Sequence, residues 1–77
     1  MVGRLTIMKI KLPRQVGEEL DYCRKLNGAS FENYYSSFRA ETYFEAHRWV
    51  MSEPLESNRN ARIVKLLQAW CFGWKEE

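Results

Sequence analysis

The sequence predicts a small all-α domain of three helices with a short extended arm on its N-terminal side. Apolar residues recur at helical spacing through most of the chain, glycine and proline fall between these stretches, and only residues 5–12 show strand-like alternation. At 77 residues, 45% of them hydrophobic and 29% charged, the chain suits one globular domain, which we place at 1–77. Three Trp, four Tyr and four Phe support so small a core, because each buried aromatic ring removes about 150–250 Å² from water.

The arm spans residues 5–12, where Lys9 and Lys11 alternate with apolar residues. Such alternation is typical of a half-buried strand. We expect the arm to lie against the helices or to pair with the C-terminal tail, ahead of pairing with a second copy. Residues 1–8 are too few, and too soon followed by Lys9 and Lys11, for a secretory signal, and Met8 could serve as an alternative start.

The first helix is predicted over residues 13–26. Pro13 suits the first position of a helix, and Gly17 is either a mild cost inside it or a sign of close contact with a neighbour. One face carries an apolar stripe, formed by Val16, Leu20, Cys23 and Leu26. Asn27 and Gly28 tolerate the left-handed conformation that ends many helices.

The second helix is predicted over residues 31–52, since no glycine or proline interrupts this stretch and Ser30 is a suitable N-cap. It forms either one long helix or two helices with a kink near residues 37–40. The positions that best permit a bend or break are 36–37 and 41–42.

Aromatic residues crowd this second helix beyond what one face can bury. They are Phe31, Tyr34, Tyr35, Phe38, Tyr43, Phe44 and Trp49. We expect most of them in the core and the remainder on a surface for a partner or a second copy, because Tyr and Trp are enriched at interface hot spots.

The third helix is predicted over residues 58–72, with Ser57 or Asn58 as its N-cap and Gly73 at its end. Its apolar stripe consists of Ile63, Leu66, Leu67, Trp70 and Trp74. The opposite face carries three bases, Arg59, Arg62 and Lys65.

The single histidine and the two cysteines do not indicate a catalytic or metal site. His47 has no cysteine or serine in a basic or glycine-rich setting, so we interpret it as a surface or interface residue. Cys23 and Cys71 are isolated and lack the paired spacing of zinc ligands. We expect both to be buried thiols in a reducing compartment rather than one structural disulfide.

Glu41 and Glu45 lie one helical turn apart, the spacing of a carboxylate pair. An i,i+3 pair from Glu45 to Arg48 on a solvated face explains them better than acid–base chemistry, which needs a buried carboxyl group. No glycine-rich phosphate-binding motif occurs. We therefore predict a noncatalytic protein without a cofactor.

A membrane and a nucleic acid are the two other kinds of partner that the sequence bears on. No apolar run reaches the roughly 18–20 residues that cross a bilayer, so we expect a cytoplasmic protein without a membrane partner. The net charge of +2 is too balanced to predict nucleic acid binding. Weak phosphate binding through Arg59, Arg62 and Lys65 nevertheless stays open as an alternative.

Both ends of the chain resemble a known family. The segments are Lys-Ile-Lys-Leu-Pro-Arg-Gln-Val at 9–16, Leu-Asp-Tyr-Cys-Arg-Lys at 20–25 and Ala-Trp-Cys-Phe-Gly-Trp at 69–74. Together they look like short proteins encoded by temperate phages and prophages of Gram-positive bacteria. The resemblance implies a small phage accessory protein, and such proteins commonly bind and redirect host or phage proteins, including host defence systems.

The predicted function is that of a noncatalytic phage-type accessory protein that binds a protein partner and inhibits or regulates a host or defence factor. The predicted contact surface lies on the aromatic helix and comprises Tyr34, Tyr43, Phe44 and Arg48. A self-associating homodimer is a further hypothesis, because small domains often complete a core across two copies.

Overall fold

The computed structural model describes residues 9–26, 28, 30–41 and 44–77. These residues form four helices and two short strands in the order β1, α1, α2, α3, α4, β2. The bounds are β1 Ile10–Leu12, α1 Arg14–Leu26, α2 Phe31–Ala40, α3 Glu45–Met51, α4 Glu56–Phe72 and β2 Trp74–Glu76. The mostly helical fold is confirmed, but the described residues contain four helices where three were predicted.

The difference lies in the predicted second helix, which is two helices, α2 and α3. The backbone is extended at Glu41, which follows α2, and at Phe44, which precedes α3. The break therefore falls after the predicted kink at 37–40, at the second of the two positions where the pattern permitted one. Ser30 does cap α2, because its hydroxyl accepts a hydrogen bond from the Asn33 amide at 3.3 Å.

Side chains from other elements satisfy the helix ends at this break. The carboxylate of Glu19, on α1, accepts hydrogen bonds from the amides of Glu45 at 2.8 Å and Ala46 at 3.1 Å, the first two residues of α3. His47 Nδ1 donates to the carbonyl oxygen of Phe38, near the end of α2, at 2.9 Å. Since unpaired groups at helix ends are costly, these contacts explain why an uninterrupted helical pattern folds as two helices.

The remaining helix ends follow local rules more closely. α1 begins one residue after Pro13, whose carbonyl accepts from the Gly17 amide at 3.0 Å. Gly28 and Gly73 adopt positive φ angles of 58° and 96° after α1 and α4. The predicted end of the last helix at Gly73 is confirmed, but the predicted N-cap, Ser57 or Asn58, is wrong, because α4 begins at Glu56 and Leu55 occupies the N-cap position without a side-chain hydrogen bond.

The arm pairs with the C-terminal tail, which was one of the two favoured outcomes. β1 and β2 run parallel, with Ile10 opposite Trp74 and Leu12 opposite Glu76. Residues 5–8 of the predicted arm lie outside the described residues. A Cβ atom on Gly17 would overlap the indole ring of Trp74, so this glycine does mark a close contact.

The core lies between the four helices and β1. Its buried members are Leu12, Val16, Leu20, Cys23, Tyr34, Phe38, Ala46, Val50, Leu66, Ala69 and Trp70. Tyr34 is at the centre of an aromatic group, with its ring 5.1 Å from Trp70 and 5.4 Å from Phe38. Two residues of the predicted apolar stripes are instead exposed, Leu26 at 66% and Leu67 at 43%.

Candidate protein-binding cleft

A cleft of about 230 Å³ opens between α2, α3 and α4. It is lined by Tyr35, Phe38, Arg39, His47, Val50, Met51 and Ile63. Five of these seven residues are apolar or aromatic. The break between α2 and α3 creates the cleft, because it lets α3 turn against α2 and α4 rather than continue away from them.

The cleft has a buried floor and an exposed rim. Phe38 and Val50 are 2% and 3% exposed and belong to the core, whereas Met51 is 56% exposed. Arg39 is also exposed, and its guanidinium lies over the ring of Tyr35 at 5.4 Å. The result is a rigid apolar floor bordered by a flexible thioether and a cation.

His47 contributes one edge of the cleft and also holds the α2–α3 break together. A carbonyl oxygen can only accept, so Nδ1 of His47 carries the hydrogen that is shared with Phe38. The Nδ1 atom therefore donates its hydrogen within the fold and is not available to a ligand. Among the described residues, no group of three His, Cys, Asp or Glu side chains is placed to hold a metal ion.

A second depression of about 320 Å³ adjoins the cleft and shares Tyr35 and Arg39 with it. Its other lining residues, Ser36 and Ala40, are small and leave room along the outer side of α2. A wider hollow of about 540 Å³ is lined by Asp21, Arg24, Lys25 and Gly28. Three of its four lining residues are charged and none is a large apolar residue, so it is the poorer candidate for binding an apolar side chain.

The residues predicted to contact a protein do not form one surface. Tyr34 is 0% exposed, so its predicted role at an interface is wrong and it is a core residue. Phe44 is half-buried and its ring lies 6.4 Å from that of Tyr34. Arg48 is exposed and pairs with Glu45 at 3.1 Å, as the spacing predicted. Tyr43 lies outside the described residues.

Two of the three predicted phosphate-binding bases have partners within the protein. Arg59 donates to the carbonyl oxygens of Glu53 at 2.9 Å and Pro54 at 3.0 Å. Lys65 is exposed, and no hydrogen bond or ion pair within the described residues involves it. Of the three predicted bases, two therefore already use their guanidinium groups within the protein.

Arg62, the third of these bases, closes the loop between α3 and α4. Its guanidinium donates to the carbonyl oxygen of Trp49 at 2.6 Å and to the Ser52 hydroxyl at 3.1 Å. It also pairs with the Glu53 carboxylate at 2.6 Å and stacks 4.8 Å from the ring centre of Trp49. A single side chain thus satisfies the end of α3 and joins it to α4.

The two cysteines differ from each other. Cys23 is buried, as predicted, and burial, followed by the nearby Glu19 carboxylate, raises the pKa of its thiol above the ordinary value. Cys71 is exposed on α4, so the prediction that it is buried is wrong. The two sulfurs are not joined to each other.

His47 was interpreted as a surface or interface residue, and no other residue that lines the cleft belonged to the predicted contact surface. Tyr35 and Phe38 were among the aromatic residues of the predicted second helix, most of which were expected in the core. The available signal was the adjacent pair Val50 and Met51, since consecutive apolar residues on a helix cannot both face one core. In the structure both residues border the cleft, Val50 at its buried floor and Met51 at its exposed rim; the position of α4 decides this, and no local pattern specifies that position.

Within the described part of the chain, none of the helices combines the length and apolar character needed to span a bilayer. Comparisons with protein-family models, with curated proteins and with solved structures give no match for this chain.

Proposed function

We propose that this chain is a noncatalytic binding protein that takes one apolar side chain of a protein partner into the cleft between α2, α3 and α4. Arg39 at the rim meets an acidic residue next to that apolar anchor. The observation that carries this proposal is a buried apolar floor, formed by Phe38 and Val50, bordered by the exposed side chains of Met51 and Arg39.

The size of the cleft favours a side chain over a small-molecule ligand. Pockets for drug-sized molecules and cofactors measure roughly 300–1,000 Å³ and enclose most of the ligand, whereas this cleft measures about 230 Å³. An aliphatic or aromatic anchor fits that space. The adjoining depression beside Ser36 and Ala40 provides room for the backbone on either side of the anchor.

The charge at the rim favours an acidic neighbour in the partner. Arg14, Arg48 and Arg62 each pair with a carboxylate of this chain. Arg39 has no ion-pair partner within the described ranges, and its guanidinium lies over the face of Tyr35. A carboxylate brought by a partner can form a bidentate pair with such a guanidinium.

The resemblance of the chain's two ends to phage accessory proteins supports a biological context for this binding. In that context the partner is a host or phage protein inside the cell, and occupation of the cleft inhibits or regulates it. Nucleic acid is the weaker alternative, because the internal hydrogen bonds of Arg59 and Arg62 compete with phosphate for the same donors.

A selection from a library of random short peptides on the immobilised protein tests the proposal. We expect enriched sequences to share an aromatic or leucine anchor next to Asp or Glu. Fluorescence anisotropy with an enriched peptide should then show weaker binding to Met51→Glu, because a carboxylate at the rim repels the acidic peptide and makes the entrance polar.

Leu26→Glu is the matched control, since Leu26 is also an exposed apolar helical residue, 66% exposed against 56% for Met51, and lies on α1 outside the cleft. It should bind the peptide as the wild type does. Peptides that bind both variants equally well would contradict the cleft assignment, and enrichment of basic peptides would contradict the role of Arg39.

A further inference from the structure

The exposed large apolar residues of the described chain are concentrated on one helix. They are Tyr22, Leu26, Met51, Leu55, Val64, Leu67 and Phe72. Four of these seven lie on α4 or immediately before it, although α4 has only 17 residues. The packing of this domain leaves the outer side of α4 without an apolar neighbour, and that side is separate from the cleft.

The outer side of α4 has the spacing of a helix–helix seam. Steps of three and four residues alternate along it, through Ser57, Asn60, Val64, Leu67 and Cys71. All five residues are exposed. This is the a/d pattern along which two helices pack in a coiled coil. We refer to these five residues as the α4 seam.

The α4 seam contains no charged residue, although 29% of the chain is charged. A neutral seam cannot select a partner by opposite charge, but it can meet an identical copy without repulsion. The bases of α4 lie elsewhere, since Arg59 and Arg62 turn towards the α3–α4 loop and Lys65 stands beside the seam.

We propose that a second copy of this chain docks on the α4 seam, with the two α4 helices antiparallel. In that arrangement Val64 of one copy faces Leu67 of the other on both sides of the twofold axis, and Asn60 faces Cys71 further out. Antiparallel helices also place opposite dipole ends together. A parallel arrangement would bring like ends together and set Asn60 against Asn60.

The antiparallel arrangement also brings other exposed apolar residues together. Leu55 precedes α4 and Phe72 ends it, so the Leu55 end of one helix lies beside the Phe72 end of the other. A helix of 17 residues is about 25 Å long. At a width of about 10 Å its footprint is roughly 250 Å² per copy, well below the ~800 Å² of a standard interface. The dimer is therefore weak and forms only at high protein concentration.

Sedimentation equilibrium over roughly 10 µM to 1 mM protein, concentrations at which a weak dimer is populated, tests the association. The average mass should rise from 9.2 kDa towards twice that value. Leu67→Glu and Val64→Glu should each stay monomeric, because two carboxylates would meet at the centre of the seam. Both residues are at least 43% exposed, so circular dichroism should show an unchanged fold. Tyr22→Glu, an exposed change on α1, is the control and should still dimerise.

A purely monomeric protein over the whole range would overturn the proposal. Dimers that persist in both folded seam variants would overturn the assignment to α4. Because no cleft residue belongs to the seam, peptide binding by the folded seam variants separates a failure of this proposal from a failure of the proposed function.

Disulfide trapping tests the orientation. In Asn60→Cys, mild oxidation should link the new thiol to Cys71 of the other copy, as identified by peptide mapping. The two positions of one chain are 11 residues apart on a helix, about 16 Å, so they cannot bridge internally. Glu32→Cys, exposed on α2, should not link in this way. A wild-type dimer linked from Cys71 to Cys71 would overturn the antiparallel arrangement.

Discussion

Replacing Arg62 separates a structural role of this residue from a ligand-binding one. Its guanidinium contacts the carbonyl oxygen of Trp49, the Ser52 hydroxyl and the Glu53 carboxylate, and it stacks on the Trp49 ring. Arg62→Ala removes all of these contacts and leaves the Trp49 carbonyl without its charged donor.

The expected loss follows from the individual contacts. A hydrogen bond from a charged group contributes about 1.5–3 kcal/mol, and the stacking on Trp49 adds about 0.5–1 kcal/mol. The ion pair with Glu53 contributes at most about 1 kcal/mol, because the two side chains remain 26% and 25% exposed and water screens them. Since such contributions are not fully additive, Arg62→Ala should lower the free energy of unfolding by about 2–4 kcal/mol. Arg62→Lys should recover only part of this, because an ammonium cannot match the planar fork.

Urea unfolding followed by circular dichroism measures this difference. Lys65→Ala is the control, since it removes a base from the same helix at an exposed position, and it should change the free energy of unfolding by less than about 0.5 kcal/mol. If Arg62→Ala were as stable as Lys65→Ala, the structural role of Arg62 would be refuted, and Arg62 would again be a candidate for binding phosphate.

Three further substitutions test the core and the helix junction. Tyr34→Phe should leave stability unchanged or raise it by up to about 2 kcal/mol, because the buried hydroxyl has no hydrogen-bond partner among the described residues. Burial, more than the nearby Glu19 and Cys23, raises the pKa of Tyr34 above its ordinary 10.0, so wild-type stability should fall as pH rises above 10 and Tyr34→Phe should lessen that fall. Glu19→Ala should cost about 1–2 kcal/mol and lower helicity, since it uncaps α3. Gly17→Ala should cost about 1–3 kcal/mol by displacing Trp74, with faster amide exchange in β1.

Urea titrations, repeated across pH for the tyrosine variant, check the first two results, and hydrogen exchange checks the third. A large loss of stability in Tyr34→Phe would mean that the hydroxyl does have a partner. Unchanged helicity in Glu19→Ala would show that α3 forms without its cap, and undisturbed exchange in Gly17→Ala would contradict the contact with Trp74.

Features that depend only on residues close in sequence were predictable. The side chain of Ser30 begins α2, and the positive φ angles of Gly28 and Gly73 follow the ends of α1 and α4. A local pattern was enough to predict these three positions. The extended arm was predicted from its alternation, and the tail is the element with which it pairs. The break between α2 and α3 was not fixed locally, because Glu19, 26 residues before Glu45, supplies the cap.

In the candidate site, too, local sequence predicted some features, and contacts between distant residues decided the others. The pattern indicated that the predicted second helix has more rings than one face can bury, but every described ring of that stretch is in the core or packs against it. It did not indicate which ring is hidden, and Tyr34 is buried while its neighbour Tyr35 borders the cleft. Similarly, Arg62 looked like part of a basic surface, since its partners Trp49 and Glu53 become neighbours only after the α3–α4 loop has closed.

Methyl-detected NMR during titration with an acidic peptide that carries one leucine or aromatic anchor tests the proposed cleft most directly. We expect saturable shift changes at the methyl groups of Met51, Val50 and Ile63, which line the cleft. Leu26 and Val64, which are exposed on other faces, should not respond. Shifts confined to Leu26 or Val64, with the three cleft methyl groups unchanged, would contradict the assignment of binding to this cleft.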